Sequence, residues 1–288
     1  MRFSFTDVMG ARTRYLHGGS GPALILVHGT GLTADSWFLN VPALAKHFSV
    51  YAPDLLDNGL TEAGPYKGGA PQPLCVKHLI AFADRLGLER FTLLGSSFGC
   101  NIAVLLHDQV PGRIDRLVLV GPGSAFDRPG ADWRTMYKGA YLNGLKAIED
   151  PSYENCQARM GNAVYDPACI PDALLLAQMT LYAQASALES FERRMQGLRL
   201  ESAIKEYEIR SRLEHIRVPT LLILGRQDPR GNFEQACETS MRLRHGTLIA
   251  YDRCGHWPHI EHPEDFNRDV AEFLMAESGH QLLKARAT

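Results

Sequence analysis

Phe91-Thr92-Leu93-Leu94-Gly95-Ser96-Ser97-Phe98-Gly99 opens as an apolar strand and closes as Gly-x-Ser-x-Gly, and an apolar helix is expected from about Asn101 to Val110. Strand, tight turn and helix in that order hold a serine at the tip of a strained turn with its hydroxyl exposed. The glycines have a steric reason. A sharp turn needs an unusual backbone angle, and side chains at Gly95 and Gly99 would collide with the neighbouring strand and helix. Ser97 is therefore the candidate nucleophile, against the plainer reading of a glycine-rich strand–helix turn.

A neutral serine hydroxyl needs a base, and the base needs an orienting acid. His256, in Arg253-Cys254-Gly255-His256-Trp257-Pro258, follows the strand-like Thr247-Leu248-Ile249-Ala250-Tyr251 and precedes a final helix. Asp228, in Gly225-Arg226-Gln227-Asp228-Pro229, follows the apolar Leu221-Leu222-Ile223-Leu224. Asp before Pro is by itself a common turn initiator, and a lone loop histidine is usually a surface residue. Three such residues, each just past a strand and running Ser97, Asp228, His256, point to one catalytic set.

Acyl transfer builds negative charge on a carbonyl oxygen, which preorganised N–H groups stabilise. His28-Gly29-Thr30-Gly31 directly follows the strand Ala23-Leu24-Ile25-Leu26-Val27. Its Thr30 amide, with the amide of Phe98 after the nucleophile, is the candidate oxyanion hole.

With these motifs in hand, the chain resembles an α/β-hydrolase from about residue 10 to 275, whose Ser, Asp, His order it shares. Within that superfamily it resembles the serine hydrolases that cleave carbon–carbon bonds in ring-fission products of aromatic degradation. The motifs that carry this are His28-Gly29-Thr30-Gly31, Gly95-Ser96-Ser97-Phe98-Gly99, Gly121-Pro122-Gly123, Pro151-Ser152-Tyr153-Glu154, and Cys254-Gly255-His256-Trp257 with Glu261-His262-Pro263 and Phe266-Asn267-Arg268 beyond. Two positions depart from that subfamily. Ser96 stands where its members carry Asn, and Gln178 falls where they carry a lid arginine that binds the substrate's acidic end. The resemblance implies Gly29, Gly31, Ser96, Gln178 and Trp257 as substrate-binding positions, a small, mainly apolar or aromatic carbonyl substrate, and no cofactor. A carboxylic ester or lactone hydrolase is the alternative, and a non-catalytic ligand-binding relative the second. Haloalkane dehalogenases and epoxide hydrolases are disfavoured, because they would require a carboxylate where Ser97 stands. A homo-oligomer rests on the resemblance alone.

Composition fits an ordinary globular enzyme, at 45% apolar and 22% charged. A formal net charge of −2 argues against nucleic acid or an anionic membrane as partner. No apolar run approaches a membrane span, and Met1-Arg2-Phe3-Ser4-Phe5 lacks the apolar core of a signal peptide, so a cytoplasmic location is expected. The six cysteines show no paired spacing and are expected to be reduced and buried. His256, His259 and His262 recur every three residues, but Pro258 and Pro263 break the helix that would align them, so no metal is expected. The basic clusters Arg193-Arg194 and Arg210–Arg212 are interleaved with acids and read as solvated helix faces.

Apolar strands at Ala23–Val27, Phe48–Ala52, Phe91–Leu94, Arg116–Val120, Thr220–Leu224 and Thr247–Tyr251 alternate with helices at about Ala34–Lys46, Pro73–Leu86, Phe98–Val110 and Phe233–Leu243. This alternation predicts an α/β fold with a parallel sheet covered on both faces. Edge strands at Arg2–Val8 and Thr13–Leu16 complete a mostly parallel, eight-stranded sheet. The interval 125–217 shows only helical patterns and reads as an inserted lid. It divides a core of residues 1–124 and 218–278, with 279–288 as a flexible tail. The lid's Trp133, Met136, Tyr137, Tyr141, Met160, Tyr165, Met179 and Tyr182 are expected mostly to pack its helices, with about a third lining a pocket.

Overall fold

The computed structural model describes residues 1–126 and 133–276, the side chains at 133–137 and 140 excepted. The expected side chains of Trp133, Met136 and Tyr137 and the tail beyond residue 276 lie outside the described residues. Eight strands form one sheet: β1 (Arg2–Val8), β2 (Ala11–Gly18), β3 (Ala23–Val27), β4 (Ser49–Pro53), β5 (Phe91–Ser96), β6 (Ile114–Val120), β7 (Thr220–Gly225) and β8 (Gly246–Tyr251). Their spatial order is β1-β2-β4-β3-β5-β6-β7-β8. The pairings of β1 with β2 and of β2 with β4 are antiparallel, and all others are parallel.

The central strands carry runs of consecutive apolar residues, Leu24–Val27, Leu93–Leu94, Leu117–Val120 and Leu221–Leu224, because both faces are covered there. Successive side chains point to opposite sides, so Ile25, Val27, Leu117, Leu119, Leu222 and Leu224 enter one core, while Leu24, Leu26, Val118, Val120, Leu221 and Ile223 enter the other. Helices α2 (Gln72–Arg85), α3 (Phe98–Gln109) and α9 (Phe233–Ser240) supply side chains to the first core; α1 (Val41–Leu44) and α11 (Pro263–Met275) supply the second. The short α10 (Pro258–Glu261) leads into α11, where Phe266 and Val270 are fully buried.

The expected Ala34–Lys46 helix is instead a 3-10 turn (Ala34–Trp37) followed by the short α1. Pro42 lacks an N–H and fits only at a helix start, so the chain restarts there. The Asn40 amide at the break donates to His259 O (3.1 Å) and Asn267 Oδ1 (2.9 Å), tying it to the C-terminal segment.

Helices α4 (Trp133–Glu149), α5 (Tyr153–Gly161), α6 (Asp172–Tyr182), α7 (Ala187–Leu198) and α8 (Glu201–Glu206) lie between β6 and β7. This insert has its own core. Cys156, Met160, Leu174, Leu175, Phe191 and Met195 pack with Leu32, Trp257 and Ile260 from the sheet's loops. Tyr141 stacks on Phe191 with 5.7 Å between centroids, as a packing residue.

Arg193 and Arg194 are not the solvated pair that their sequence predicts. Arg193 binds both carboxylate oxygens of Asp57 (2.8 and 3.0 Å), Ser190 Oγ donates to the same carboxylate (2.6 Å), and Arg194 donates to Asp57 O. The partner residue lies well over a hundred positions away in the chain, beyond the reach of local charge patterning. All six cysteines are free, and four of them are buried. Among the described residues, no helix is long and apolar enough to cross a membrane.

Candidate active site

Ser97 sits between β5 and α3 with φ 54° and ψ −116°, a backbone region that costs a non-glycine residue about 1–3 kcal/mol. The turn is held by Ser97 N donating to Val120 O (2.9 Å) and Cys100 N donating to Ser97 O (2.8 Å). A Cβ at Gly95 would strike the carbonyl of Gly99, and one at Gly99 would strike the carbonyl of Val27. The collisions foreseen for these two glycines thus have named backbone partners. Phe98 is the first residue of α3, so its N–H has no intrahelical acceptor and is available to an oxyanion.

The loop after β3 faces this turn. A Cβ on Gly29 would meet Ser97 Cβ at 2.9 Å, so the absence of a side chain there lets the loop lie against the serine. Leu32 N donates to Gly29 O (3.2 Å), closing a turn that leaves Thr30 exposed. His28 fixes the loop from below. Its Nε2 accepts from Leu55 N (2.9 Å), which leaves Nδ1 as the protonated nitrogen, donating to Gly29 O (2.9 Å). Burial pushes the His28 pKa down to about 4, so the ring is neutral and structural.

Asp228 and His256 stand on the loops after the adjacent strands β7 and β8. Those loops are laced together: Arg226 N donates to Tyr251 O (3.0 Å), Gln227 N to Cys254 O (3.0 Å) and Cys254 N to Gln227 Oε1 (3.1 Å). The Asp228 carboxylate accepts His256 Nδ1–H at 2.8 and 3.0 Å and the Arg230 amide at 2.7 Å. This fixes the tautomer that leaves Nε2 free to take a proton. A Cβ at Gly121 would press on His256 O (2.5 Å) and one at Gly123 on His256 Cε1 (3.2 Å). The turn whose Val120 carbonyl anchors Ser97 therefore also shapes the seat of His256.

The insert reaches these loops directly. His256 N donates to Ala163 O (2.7 Å), just past α5. Helix α5 stops at Gly161, and the backbone released beyond it makes this contact. Glu261 binds the same junction, its carboxylate accepting from Tyr165 N (2.8 Å), Gly255 N (2.8 Å) and Trp257 N (3.0 Å). Its sequence signal was its place in the Glu261-His262-Pro263 motif, which gave it no role.

The remaining substrate-binding candidates have different surroundings. Ser96 is fully buried, and its Oγ has no hydrogen-bond partner among the described residues. Trp257 is buried in the insert's core. Gln178, also buried, lines a cavity of about 260 Å³ together with Gly31, Leu32, Asp57, Tyr182 and Arg194. Two arginines that sequence reasoning passed over lie close by. Arg159 of α5 donates to Gly31 O (2.9 Å) with its guanidinium 5.4 Å from the Tyr182 ring centre, and Arg230 follows Asp228 by two residues.

The three regularly spaced histidines diverge. His259 is buried beside Trp37 (4.2 Å between rings) and Phe266, and His262 Nε2 bonds to Arg253 O (3.3 Å). Among the described residues, no group of three or more His, Cys, Asp or Glu could hold a metal ion. Burial raises the Cys100 thiol to about 12 and pushes Cys254 upward, so neither thiol beside the site is reactive near neutral pH.

Known proteins place this arrangement in a wider group. The model of the alpha/beta hydrolase family matches residues 24–269. The 2-hydroxy-6-oxo-2,4-heptadienoate hydrolase of Pseudomonas putida is 30% identical over 278 residues, spanning 93% of this chain and 94% of that protein. A 2-hydroxymuconate semialdehyde hydrolase from a Pseudomonas species is 30% identical over 279 residues, spanning 92% and 91%. The solved meta-cleavage product hydrolase of Pseudomonas fluorescens is similar with a TM-score of 0.78 at 26% identity, covering 94% of this chain and 97% of that one. The match runs unbroken from β3 through α11 and so takes in the serine turn, the inserted helices and both loops that follow β7 and β8: the chain belongs to the alpha/beta hydrolase family.

Proposed function

We propose that this hydrolase cleaves a carbon–carbon bond next to a ketone in a ring-fission product of an aromatic compound, with Ser97, His256 and Asp228 as its catalytic residues. The observation that carries the reading is the strained Ser97 turn set against a histidine whose Nδ1 is committed to Asp228. Full-length similarity to hydrolases named for hydroxy-oxo-dienoates supports the choice of bond.

His256 Nε2 takes the Ser97 proton as Oγ adds to the substrate ketone, and the resulting oxyanion lies between the Thr30 and Phe98 amides. The carbon–carbon bond then breaks. Its electron pair leaves on the departing carbon, which must already be ketonised so that the charge becomes an enolate, and His256 returns the proton there. Water, deprotonated by the same histidine, releases the acid from Ser97. A gem-diol route, with water adding first, uses the same base and oxyanion site. The inserted helices exclude bulk water and shape the pocket.

Ser96 and Gln178 in place of the subfamily's Asn and Arg favour a second reading, an ester or lactone hydrolase on the same machinery. Side-by-side turnover of a ring-fission dienoate and short-chain p-nitrophenyl esters, by the protein and its Ser97→Ala variant, separates the two. Fast loss of the dienoate's visible absorbance, abolished in the variant, is the expected result. Rapid ester turnover with an inert dienoate would select the second reading. Full turnover by Ser97→Ala would overturn both.

A further inference from the structure

The loop that carries Thr30 is gripped from the insert. Gly31 O accepts from Arg159 Nη2 of α5 (2.9 Å) and from the Tyr182 hydroxyl of α6 (3.4 Å). The Arg159 guanidinium lies over the Tyr182 ring, 5.4 Å from its centre, so the two donors brace each other. Burial raises the Tyr182 pKa, so its hydroxyl keeps the proton it donates. Gly31 is buried with φ 71°, and a Cβ there would collide with Arg159 Nη2. The bare glycine makes room for the guanidinium.

This hold passes along two peptide units. In a trans peptide the C=O and N–H point in opposite directions, so fixing one fixes the other. The Gly31–Leu32 unit has its carbonyl on Arg159 and Tyr182 and its N–H on Gly29 O (3.2 Å). The Gly29–Thr30 unit has its carbonyl on that Leu32 N–H and on His28 Nδ1–H (2.9 Å), and its own N–H is the Thr30 amide. The glycines of His28-Gly29-Thr30-Gly31 give the loop little stiffness of its own, so its shape depends on these holds. A cation at the head of the chain also polarises each bond in turn, by about 10–30% per bond, in the sense that leaves the last N–H more positive.

We propose that Arg159 and Tyr182 are positioning residues of the oxyanion hole: through the Gly31 and Gly29 carbonyls they aim and polarise the Thr30 amide toward the carbonyl oxygen under attack. This rests on hydrolysis at Ser97 with Thr30 as an oxyanion donor, but not on which bond is cleaved. It also gives the insert a second role. The segment from α5 to Ala163 holds the Thr30 loop through Arg159 and the His256 loop through Ala163 O, so donor and base are aligned together when it is docked.

The test compares kcat and KM of the protein with those of Arg159→Met, Arg159→Lys and Tyr182→Phe, on whichever of p-nitrophenyl butyrate and the ring-fission dienoate is turned over. Losing a whole oxyanion donor costs about a hundred- to a thousandfold in kcat, and a donor left in place but loosened costs part of that. Arg159→Met should cut kcat about ten- to thirtyfold with KM nearly unchanged, and Tyr182→Phe about threefold. Arg159→Lys, which keeps a charged donor, should recover most of the loss. Binding of 2,2,2-trifluoroacetophenone, which adds to Ser97 as a tetrahedral oxyanion, should weaken in step with kcat/KM, while binding of acetophenone, which stays trigonal, should not. A change confined to KM would overturn the proposal, because Arg159 would then touch the substrate's ground state, and so would an unchanged kcat in Arg159→Met. A last readout needs no turnover. In the Ser97→Ala protein, adding Arg159→Met should speed hydrogen exchange of the Leu32 amide about tenfold as its bond to Gly29 O loosens. Unchanged exchange would overturn the proposal by itself. Faster exchange in a protein whose parent neither hydrolyses an ester or dienoate nor adds the ketone would leave the hold on the loop standing while the hydrolytic reading fell.

Discussion

Replacing Glu261 tests whether the inserted helices and the His256 loop are held as one unit. Its carboxylate accepts three backbone N–H groups, those of Gly255 and Trp257 on either side of His256 and that of Tyr165 beyond α5. Hydrogen bonds to a charged acceptor are each worth about 1.5–3 kcal/mol when water is excluded. Glu261 is half-buried, so water replaces part of what is lost, and the net cost of Glu261→Ala is set at about 2–4 kcal/mol. For a chain of this size that lowers Tm by roughly 4–8 °C. If His256 acts on Ser97 as proposed, freeing its loop from the carboxylate displaces the base, and a misplacement of about 1 Å is enough to cost on the order of a hundredfold in rate. The loss should therefore fall on kcat more than on KM. Glu261→Gln refines the argument. Its single carbonyl oxygen can still serve Gly255 and Tyr165, which share Oε2, while the Trp257 N–H is left facing an amide NH₂. That should cost about 1–2 kcal/mol. Calorimetry and turnover on the three proteins read both effects. A Tm within a degree of the parent and an unchanged kcat for Glu261→Ala would refute the strap. A glutamine variant as damaged as the alanine one would refute the acceptor count.

Ser97→Gly should be inactive yet melt about 2 °C above Ser97→Ala, because glycine takes φ 54° without strain and gains more than its extra unfolded-state entropy costs; equal melting temperatures would show that the turn is not strained. Acidification should destabilise the fold. Burial depresses His28 and His78 to about 4 and His259 to about 3, so each takes up a proton on unfolding between those values and 6.5, and stability rises with pH across that window. Asp54, raised to about 6 by burial, acts the other way and releases one proton on unfolding between its unfolded value and 6. Three protons taken up against one released give a slope of about 3 kcal/mol per pH unit between pH 4.5 and 6. Urea unfolding at half-unit intervals measures it, and a flat profile or one rising toward acid would contradict the burial of these rings.

Much of the scaffold was legible because it follows from neighbours in the chain. The apolar runs of β3, β5, β6, β7 and β8 and the glycines around Ser97 answer to local sterics and to burial on both faces, and their expected positions agree with the structure to within two residues. The order Ser97, Asp228, His256 was legible for the same reason, since each follows a readable strand. The break at Pro42 was present in the sequence but obscured by the apolar periodicity on either side of it.

What the chain by itself determined, then, is the mostly parallel sheet, the strained serine turn and the presence of a helical insert. Tertiary structure alone decided what that insert does to the site. Arg193 and Arg194 looked like a solvated pair until α7 met Asp57, Glu261 had no visible role until three amides from two segments converged on it, and Arg159 was one more cation on a helix until α5 met Gly31. The physical reason is one of range. Strand and turn preferences are settled within a few residues, whereas a charge's meaning depends on which distant backbone or carboxylate it faces, and folding the insert over the loops sets that.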